Sequence, residues 1–203
     1  MEERRSRWSS EVRVLLGPAA AFRELRQDQR AGPWVLLRRP LLLAFAMGCT
    51  VSLQASGRLS ARLIVDGAVS FAFVPVFELA ALVAVYRRRP RGMPFARAAD
   101  LLFTANAPWL VWLIAFDALR CLQSPAQATA PSVPLTWILA ASLILTAVWS
   151  AYIDLHFFRD VLPRPAGSAV PDLILQRAIG WSCGLVYFLG YAIWAEIVGR
   201  IAA

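Results

Sequence analysis

Glu78 is the residue in this sequence whose type and position most clearly suggest a chemical role, because its carboxyl lies deep within an apolar run. It precedes the charged boundary at Arg87 by nine residues, roughly 13 Å along a helix at about 1.5 Å per residue. An acidic side chain near the centre of a bilayer costs about 2.5 to 3.5 kcal/mol on insertion scales. We therefore expect Glu78 to be protonated unless a cation is bound, since no arginine falls at its depth.

Other polar residues are predicted at the depth of Glu78. Asn106 follows Arg97 by nine residues, and the short loop between the two apolar runs makes their helices antiparallel neighbours. We expect a hydrogen bond between Glu78 and Asn106. Thr146 and Tyr187 fall near the same level, which predicts a midplane polar layer. Such a layer serves either as a proton or substrate site or as a contact between helices.

Small and polar residues also recur at steps of four, the spacing that places them on one face of a helix. Small residues at this interval allow helix backbones to approach closely, and we expect packing contacts there. A polar stripe at the same spacing either lines a cavity or meets another helix. The packing rows are Ala44, Gly48 and Ser52, then Gly180 and Gly184; the polar stripe is Ser142, Thr146, Ser150 and Asp154.

Ser182 is the one candidate nucleophile, since Gly180 to Gly184 read Gly-Trp-Ser-Cys-Gly and match G-x-S-x-G. That motif requires a strand-to-helix turn, whereas this copy lies within an apolar run. The single histidine, His156, falls at a similar depth. An intramembrane serine hydrolase is therefore a remote interpretation. No cofactor or metal site is predicted, because His156 has no second histidine or cysteine at ligand spacing.

Composition sets the fold class. Of 203 residues, 59% are hydrophobic and 17% are charged, and the mean hydropathy is +0.55. These values exclude a soluble enzyme. The sequence predicts an all-α polytopic membrane bundle of five transmembrane helices, since about 20 apolar residues span a bilayer. The apolar runs cover about 34–56, 63–86, 98–119, 135–158 and 178–198.

Charge predicts the orientation. All 21 basic residues are arginine, which is typical of a GC-rich bacterial gene. The N-terminal region holds nine, the loop after the second run five and the loop after the fourth three, which leaves four for the other side. The positive-inside rule places the N-terminus in the cytoplasm and the C-terminus outside a bacterial inner membrane. Nucleic acid is not an expected partner, because the arginines lie between apolar runs.

Residues 1–33 form a separate cytoplasmic segment in this interpretation, followed by the transmembrane domain at 34–203. Gly17 and Pro18 can begin a short helix. We expect it to be amphipathic and to lie on the inner leaflet, although a polar tail is the alternative. Its apolar face contains Ala21, Phe22 and Leu25, and Arg23, Arg26 and Arg30 lie elsewhere.

Two short motifs resemble the bacterial branch of the Yip-domain family of five-span membrane proteins. One is Leu16-Gly17-Pro18 followed by Phe22; the other is Gly92-Met93-Pro94-Phe95-Ala96-Arg97 ahead of Ala107-Pro108. The resemblance implies a non-enzymatic protein that binds other membrane proteins or shapes the bilayer. The Asp-Leu-Tyr-Gly-Pro signature of eukaryotic members is replaced by Val14-Leu15-Leu16-Gly17-Pro18, so it implies no Rab-type GTPase partner.

Three functions follow in order of preference. The first is an accessory, scaffold or assembly subunit for other integral membrane proteins, within an oligomer or hetero-complex. The second is a small transporter or lipid-handling protein that uses a midplane acidic residue. The third is the intramembrane hydrolase. The expected partners are the lipid bilayer and other membrane proteins.

The predicted orientation can be tested by labelling single cysteines at Ala128 and Gly167 after the native cysteines are replaced. An impermeant thiol reagent applied to intact cells should label position 128 and spare position 167, because the first loop is expected outside and the second inside. The reverse pattern would show that the topology is inverted.

Overall fold

The computed structural model describes residues 8–28, 32–88, 92–123, 132–162 and 168–202. Arg30, Ala128 and Gly167 lie outside these ranges. The described residues form nine α-helices and one π-helical segment, with no strand among them. The helices are α1 (Ser10–Leu16), α2 (Pro18–Leu25), α3 (Pro33–Ser56), α4 (Ala61–Ser70), α5 (Phe73–Tyr86), α6 (Phe95–Thr104), α7 (Ala107–Leu122), α8 (Val133–His156), the π segment (Phe157–Val161) and α9 (Ala169–Ala202).

Four of the described segments are long and apolar enough to cross a membrane, and a bent helix pair makes a fifth if it counts as one span. The all-helical multi-span class predicted from composition is thereby confirmed. The four are α3, α4 with α5, α8 with the π segment, and the Ala169–Gly190 part of α9. The bent pair is α6 with α7.

The bend between α6 and α7 measures 42°. Its cause is Pro108, which has no backbone N–H and therefore cannot continue the hydrogen bonding of α6. The chain tightens instead, since the amides of Ala105 and Asn106 donate to the carbonyls of Leu102 (2.8 Å) and Phe103 (3.2 Å). Asn106 then occupies the N-cap position of α7. A proline within an apolar run is expected to break a helix in this way.

The hairpin of α3 and α4 depends on two glycines that face each other. A Cβ on Gly48 would overlap the backbone carbonyl of Ile64 and lie 3.1 Å from the amide nitrogen of Ala68. A Cβ on Gly67 would lie 2.8 Å from the Val51 Cβ and 3.1 Å from the Gly48 Cα. The close helix packing predicted for Gly48 is therefore confirmed, and Gly67 provides the second half of the contact.

Ser52, from the same predicted row, closes the α3–α4 turn. Its hydroxyl donates to the Arg58 carbonyl and accepts from the Ser60 amide, both at 2.8 Å. The chain reverses at Gly57, whose φ of 67° lies in the left-handed region that glycine adopts without strain. Ala44, the third member of the row, is half-buried on α3.

The buried core lies at one end of the bundle. The starts of α3, α6 and α9 and the ends of α5 and α8 meet there, and α1 and α2 cover them. Phe22 of α2 is fully buried and meets Phe157 edge to face at 6.0 Å between ring centroids. The apolar face of α2 is thus covered by the chain itself, which corrects the expectation that this face lies on the inner leaflet. Arg23 and Arg26 are exposed, as predicted.

A cluster of charges, which we call the hub, joins four elements at this end. It consists of Asp100 with Arg38, Arg39 and Arg97. The Arg38 guanidinium donates twice to the Asp100 carboxylate, with both distances 2.8 Å. Arg97 donates to the second carboxylate oxygen at 2.6 Å, and Arg39 forms an ion pair with the first. Asp100 is fully buried, and three arginines satisfy its carboxylate.

The hub also fixes the N-terminal helices. Arg39 donates to the Ser10 hydroxyl (2.6 Å) and the Glu11 carboxylate (2.9 Å) of α1. Arg97 donates to the carbonyls of Leu25 (2.8 Å) and Asp28 (2.9 Å). Burial by itself raises the pKa of Glu11, but its own backbone amide and Arg39 hold that pKa below the usual range. The arginines that precede two spans thereby connect α1 and α2 to α3 and α6.

Asp100→Ala should destabilise the fold by about 3 to 5 kcal/mol, because it leaves three arginines near a buried site without their carboxylate. The measurement is thermal unfolding of the detergent-purified protein followed by circular dichroism. Asp66→Ala is the matched control, since Asp66 pairs with Arg62 at 3.7 Å and both side chains are exposed. It should change stability by no more than about 1 kcal/mol. Equal effects from the two variants would contradict the assignment of the hub as the main polar constraint.

Candidate functional site

Glu78 and Asn106 meet at the break between α6 and α7. The Asn106 side-chain amide donates to the Glu78 carboxylate at 2.8 Å, which confirms the hydrogen bond predicted from depth alone. Glu78 lies on α5, and Asn106 is positioned by the Pro108 break rather than by a regular helix. The carboxylate therefore lies beside the N-terminus of α7, where the helix dipole favours a negative charge.

An ion pair from two other helices completes the site. Arg177 of α9 pairs with Asp154 of α8 and donates to the Ser150 hydroxyl at 2.9 Å. Asp154 and Arg177 both act electrostatically on Glu78. The five side chains of Glu78, Asn106, Ser150, Asp154 and Arg177 form what we call the Glu78 site. With one arginine and two carboxylates, it carries one excess negative charge when both acids are ionised.

Arg177 is the functional residue that the sequence interpretation missed. It was counted with the loop before the fifth span, whereas α9 already begins at Ala169 and carries Arg177 into the bundle. No described arginine hydrogen-bonds Glu78, but Arg177 acts on it electrostatically, which corrects the expectation that no arginine is available to this carboxyl. Residue spacing could not have predicted the contact between Arg177 and Asp154. The two residues lie on different helices and are 23 residues apart in the sequence.

The other two members of the predicted midplane layer lie elsewhere. Thr146 donates at 2.8 Å to the carbonyl of Ser142 on its own helix. Tyr187 stacks on Phe73 with ring centroids 4.2 Å apart, in an aromatic group that includes Phe77 and Phe188. Neither residue bonds to Glu78 or Asn106 in the described part of the chain. Counting residues gives depth along a helix but not the direction in which a side chain points.

The polar stripe on α8 meets neighbouring helices. Ser142 accepts from the indole N–H of Trp112 on α7 at 3.1 Å. Ser150 and Asp154 contact Arg177 of α9. Of the two interpretations of the stripe, these contacts support helix–helix contact at both of its ends.

Gly180 and Gly184 have no packing partner among the described residues. A Cβ on either would find nothing within 4 Å, in contrast to the tight contacts of Gly48 and Gly67. The expectation that this pair packs closely against another helix is therefore wrong for the chain by itself. The reason is that α9 is held at its start, by Arg177 and the buried core, and further along by the aromatic group around Tyr187.

The structure does not assemble the hydrolase candidate. Ser182 is exposed on the continuous helix α9, so the G-x-S-x-G match forms no nucleophile elbow. His156 is bound elsewhere, with its Nδ1 atom 3.0 Å from the Asp160 carboxylate and its ring edge to face with Tyr152. No group of three or more metal-ligating side chains occurs within the described ranges.

Comparisons with known protein families, with characterised proteins and with solved structures found no match to this chain. The resemblance to the Yip-domain family therefore stays a prediction from its two short motifs.

Glu78→Gln and Glu78→Ala distinguish structural and chemical roles for this carboxyl. If Glu78 only joins helices, Gln preserves a hydrogen bond to Asn106 and should leave stability nearly unchanged, whereas Ala should cost about 0.6 to 2 kcal/mol. If Glu78 carries protons or cations, Gln should abolish activity as completely as Ala. The measurements are thermal stability of each variant and rescue of the phenotype caused by deletion of the gene. Unchanged stability with lost rescue in Glu78→Gln would overturn the purely structural role.

Proposed function

We propose that this protein is a non-enzymatic, multi-pass subunit that helps to assemble or support other integral membrane proteins. Its N-terminus and the hub lie on the cytoplasmic side of a bacterial inner membrane, and its C-terminus lies on the opposite side. The arginine asymmetry supports this orientation, since the hub end of the bundle contains the arginine-rich segments. The short motifs that resemble the Yip-domain family agree with such a role.

The uneven burial of the spans supports an assembly role. In the most apolar stretch of each span, 33% of the residues of α3 are buried, against 17% for the α8 span and 6% for Ala169–Gly190 of α9. The core at the hub end holds the helices together, and the far part of α9 contributes little to it. A span with so few buried residues leaves most of its surface for lipid or for another protein.

The observation that carries the proposal is the open glycine pair on α9. Gly180 and Gly184 have the spacing that brings two membrane helices into backbone contact, and nothing in the described chain occupies that space. Gly48 and Gly67 show what the same residue type does where a helix is present. We therefore assign Gly180 and Gly184 to a contact with a helix of another membrane protein.

Transport is a second candidate, and the Glu78 site is the observation that favours it. Two carboxylates and one arginine lie between helices, one of which is broken by proline within the span. Charged side chains and broken helices in a membrane commonly mark ion or substrate pathways. The Glu78→Gln comparison decides between this candidate and a structural role of the site.

Gly180→Leu and Gly184→Leu should reduce recovery of the native complex roughly tenfold, equivalent to about 1.4 kcal/mol of binding free energy. They should leave the melting temperature of the purified chain unchanged, because the added side chains enter open space. The assay is native gel electrophoresis of mildly solubilised membranes, with quantitative mass spectrometry of the excised complex.

Ala178→Leu is the matched control, since Ala178 is exposed on the opposite side of the same helix. It should retain the complex, as should Ser182→Ala. Loss of the complex with Ala178→Leu, or retention with both glycine variants, would contradict the assignment of this face. Loss of function in folded Ser182→Ala, with the glycine variants tolerated, would favour the hydrolase.

A further inference from the structure

Glu78 lies beside the break between α6 and α7. Its hydrogen-bond donor among the described residues, Asn106, is the N-cap residue of α7 and the last residue of the 42° break. A change at the Glu78 carboxylate therefore acts directly on the residue at which α7 begins.

Few charged side chains surround Glu78 in the described part of the chain. Asp154 on α8 and Arg177 on α9 act on it, and they pair with each other. The arginines of α3 and α6 that lie towards the hub, Arg38, Arg39 and Arg97, bind Asp100. With Asp154 and Arg177 in a neutral pair, Glu78 provides the excess negative charge of the site, and a single proton removes it.

We infer that Glu78 is a protonation switch that changes the bend between α6 and α7 through Asn106. In the described state the carboxylate accepts from the Asn106 amide nitrogen at 2.8 Å. A proton from the aqueous phase that binds to this carboxylate turns it into a donor, which requires an acceptor. The other carboxyl oxygen still accepts from the Asn106 amide, and the Asn106 oxygen is the nearest named acceptor for the new O–H, so the Asn106 side chain reorients to serve both; no electron transfer or second reactant is involved.

Protonation has a second effect on α7. The anionic carboxylate lies beside the N-terminus of α7, a helix of 16 residues, where partial positive charge favours it. Neutralising Glu78 removes this attraction while the amide rotates. Both changes act at the break, where Pro108 has already interrupted the backbone hydrogen bonds. The first turn of α7 is therefore the element expected to respond.

A tryptophan in the first turn of α7 can report this change through its fluorescence. Trp109 follows Asn106 by three residues and packs edge to face with Trp112, with ring centroids 6.5 Å apart. Trp112 is anchored by its hydrogen bond to Ser142 on α8 and by stacking on Phe116. A rearrangement of the first turn of α7 moves Trp109 relative to Trp112 and alters its fluorescence.

The test is a pH titration of the full chain in phosphatidylcholine nanodiscs, with two readouts. Infrared difference spectroscopy of the carboxyl C=O band follows protonation, and tryptophan emission follows α7. The unmodified protein should show one step with a common midpoint in both. Glu78→Gln should remove the step from both, and Trp109→Phe should remove it from the emission alone. Asp160→Asn, which alters the separate His156–Asp160 pair, should keep both steps.

Asn106→Leu separates protonation from its transmission. It keeps the Glu78 carboxyl but has no amide that can follow the proton, so the infrared step should persist while the emission step falls to less than half its size. An emission step of undiminished size in Asn106→Leu, or any emission step in Glu78→Gln, would overturn the inference, as would no step in the unmodified protein. If Glu78→Gln does not yield monodisperse protein, the size of the emission step in Asn106→Leu tests the switch by itself. The infrared step of that variant shows that the Glu78 site is intact.

Discussion

The hydrogen bonds between Asp100 and three arginines are the constraint on which the rest of this structure depends. A fully buried carboxylate is costly unless every oxygen lone pair is used, and here Arg38, Arg39 and Arg97 use them. The same arginines reach α1 and the end of α2, so one interaction orders the two short helices and the starts of two spans.

The chain is packed most tightly at the hub end. Away from the hub, its helices differ in how extensively they pack against one another. The α3–α4 hairpin is held by Gly48 and Gly67, and α5, α6 and α8 contribute to the buried core. Among the described side chains, the part of α9 beyond Arg177 packs on α5 through the aromatic group of Tyr187, Phe188, Phe73 and Phe77. In a membrane such a helix is already stabilised by lipid, so it can form a contact with another protein without first leaving its own chain. The proposed assembly role rests on this difference between a tightly packed hub end and the sparsely buried part of α9.

The Glu78 site combines a helix break with an uneven charge count. Pro108 opens the backbone beside Asn106, and α9 brings Arg177 to Asp154 rather than to Glu78. Glu78 is thus left with a single neutral donor where a second arginine would have made a permanent ion pair. A carboxyl in that position can change its protonation state without unfolding the bundle, which is why the site supports a chemical role as well as a structural one.

The sequence by itself determined the features that depend on position along the chain. Apolar run length determined the spans, the arginines indicated their direction, and residue counts from Arg87 and Arg97 placed Glu78 beside Asn106. Only the tertiary structure decided which side chains point toward each other. Counting gave Tyr187 the wrong neighbours, and identical spacing did not reveal that Gly48 is packed while Gly180 is open. Depth follows from the constant rise of a helix, whereas rotation and lateral neighbours depend on contacts with other helices, which local sequence does not encode.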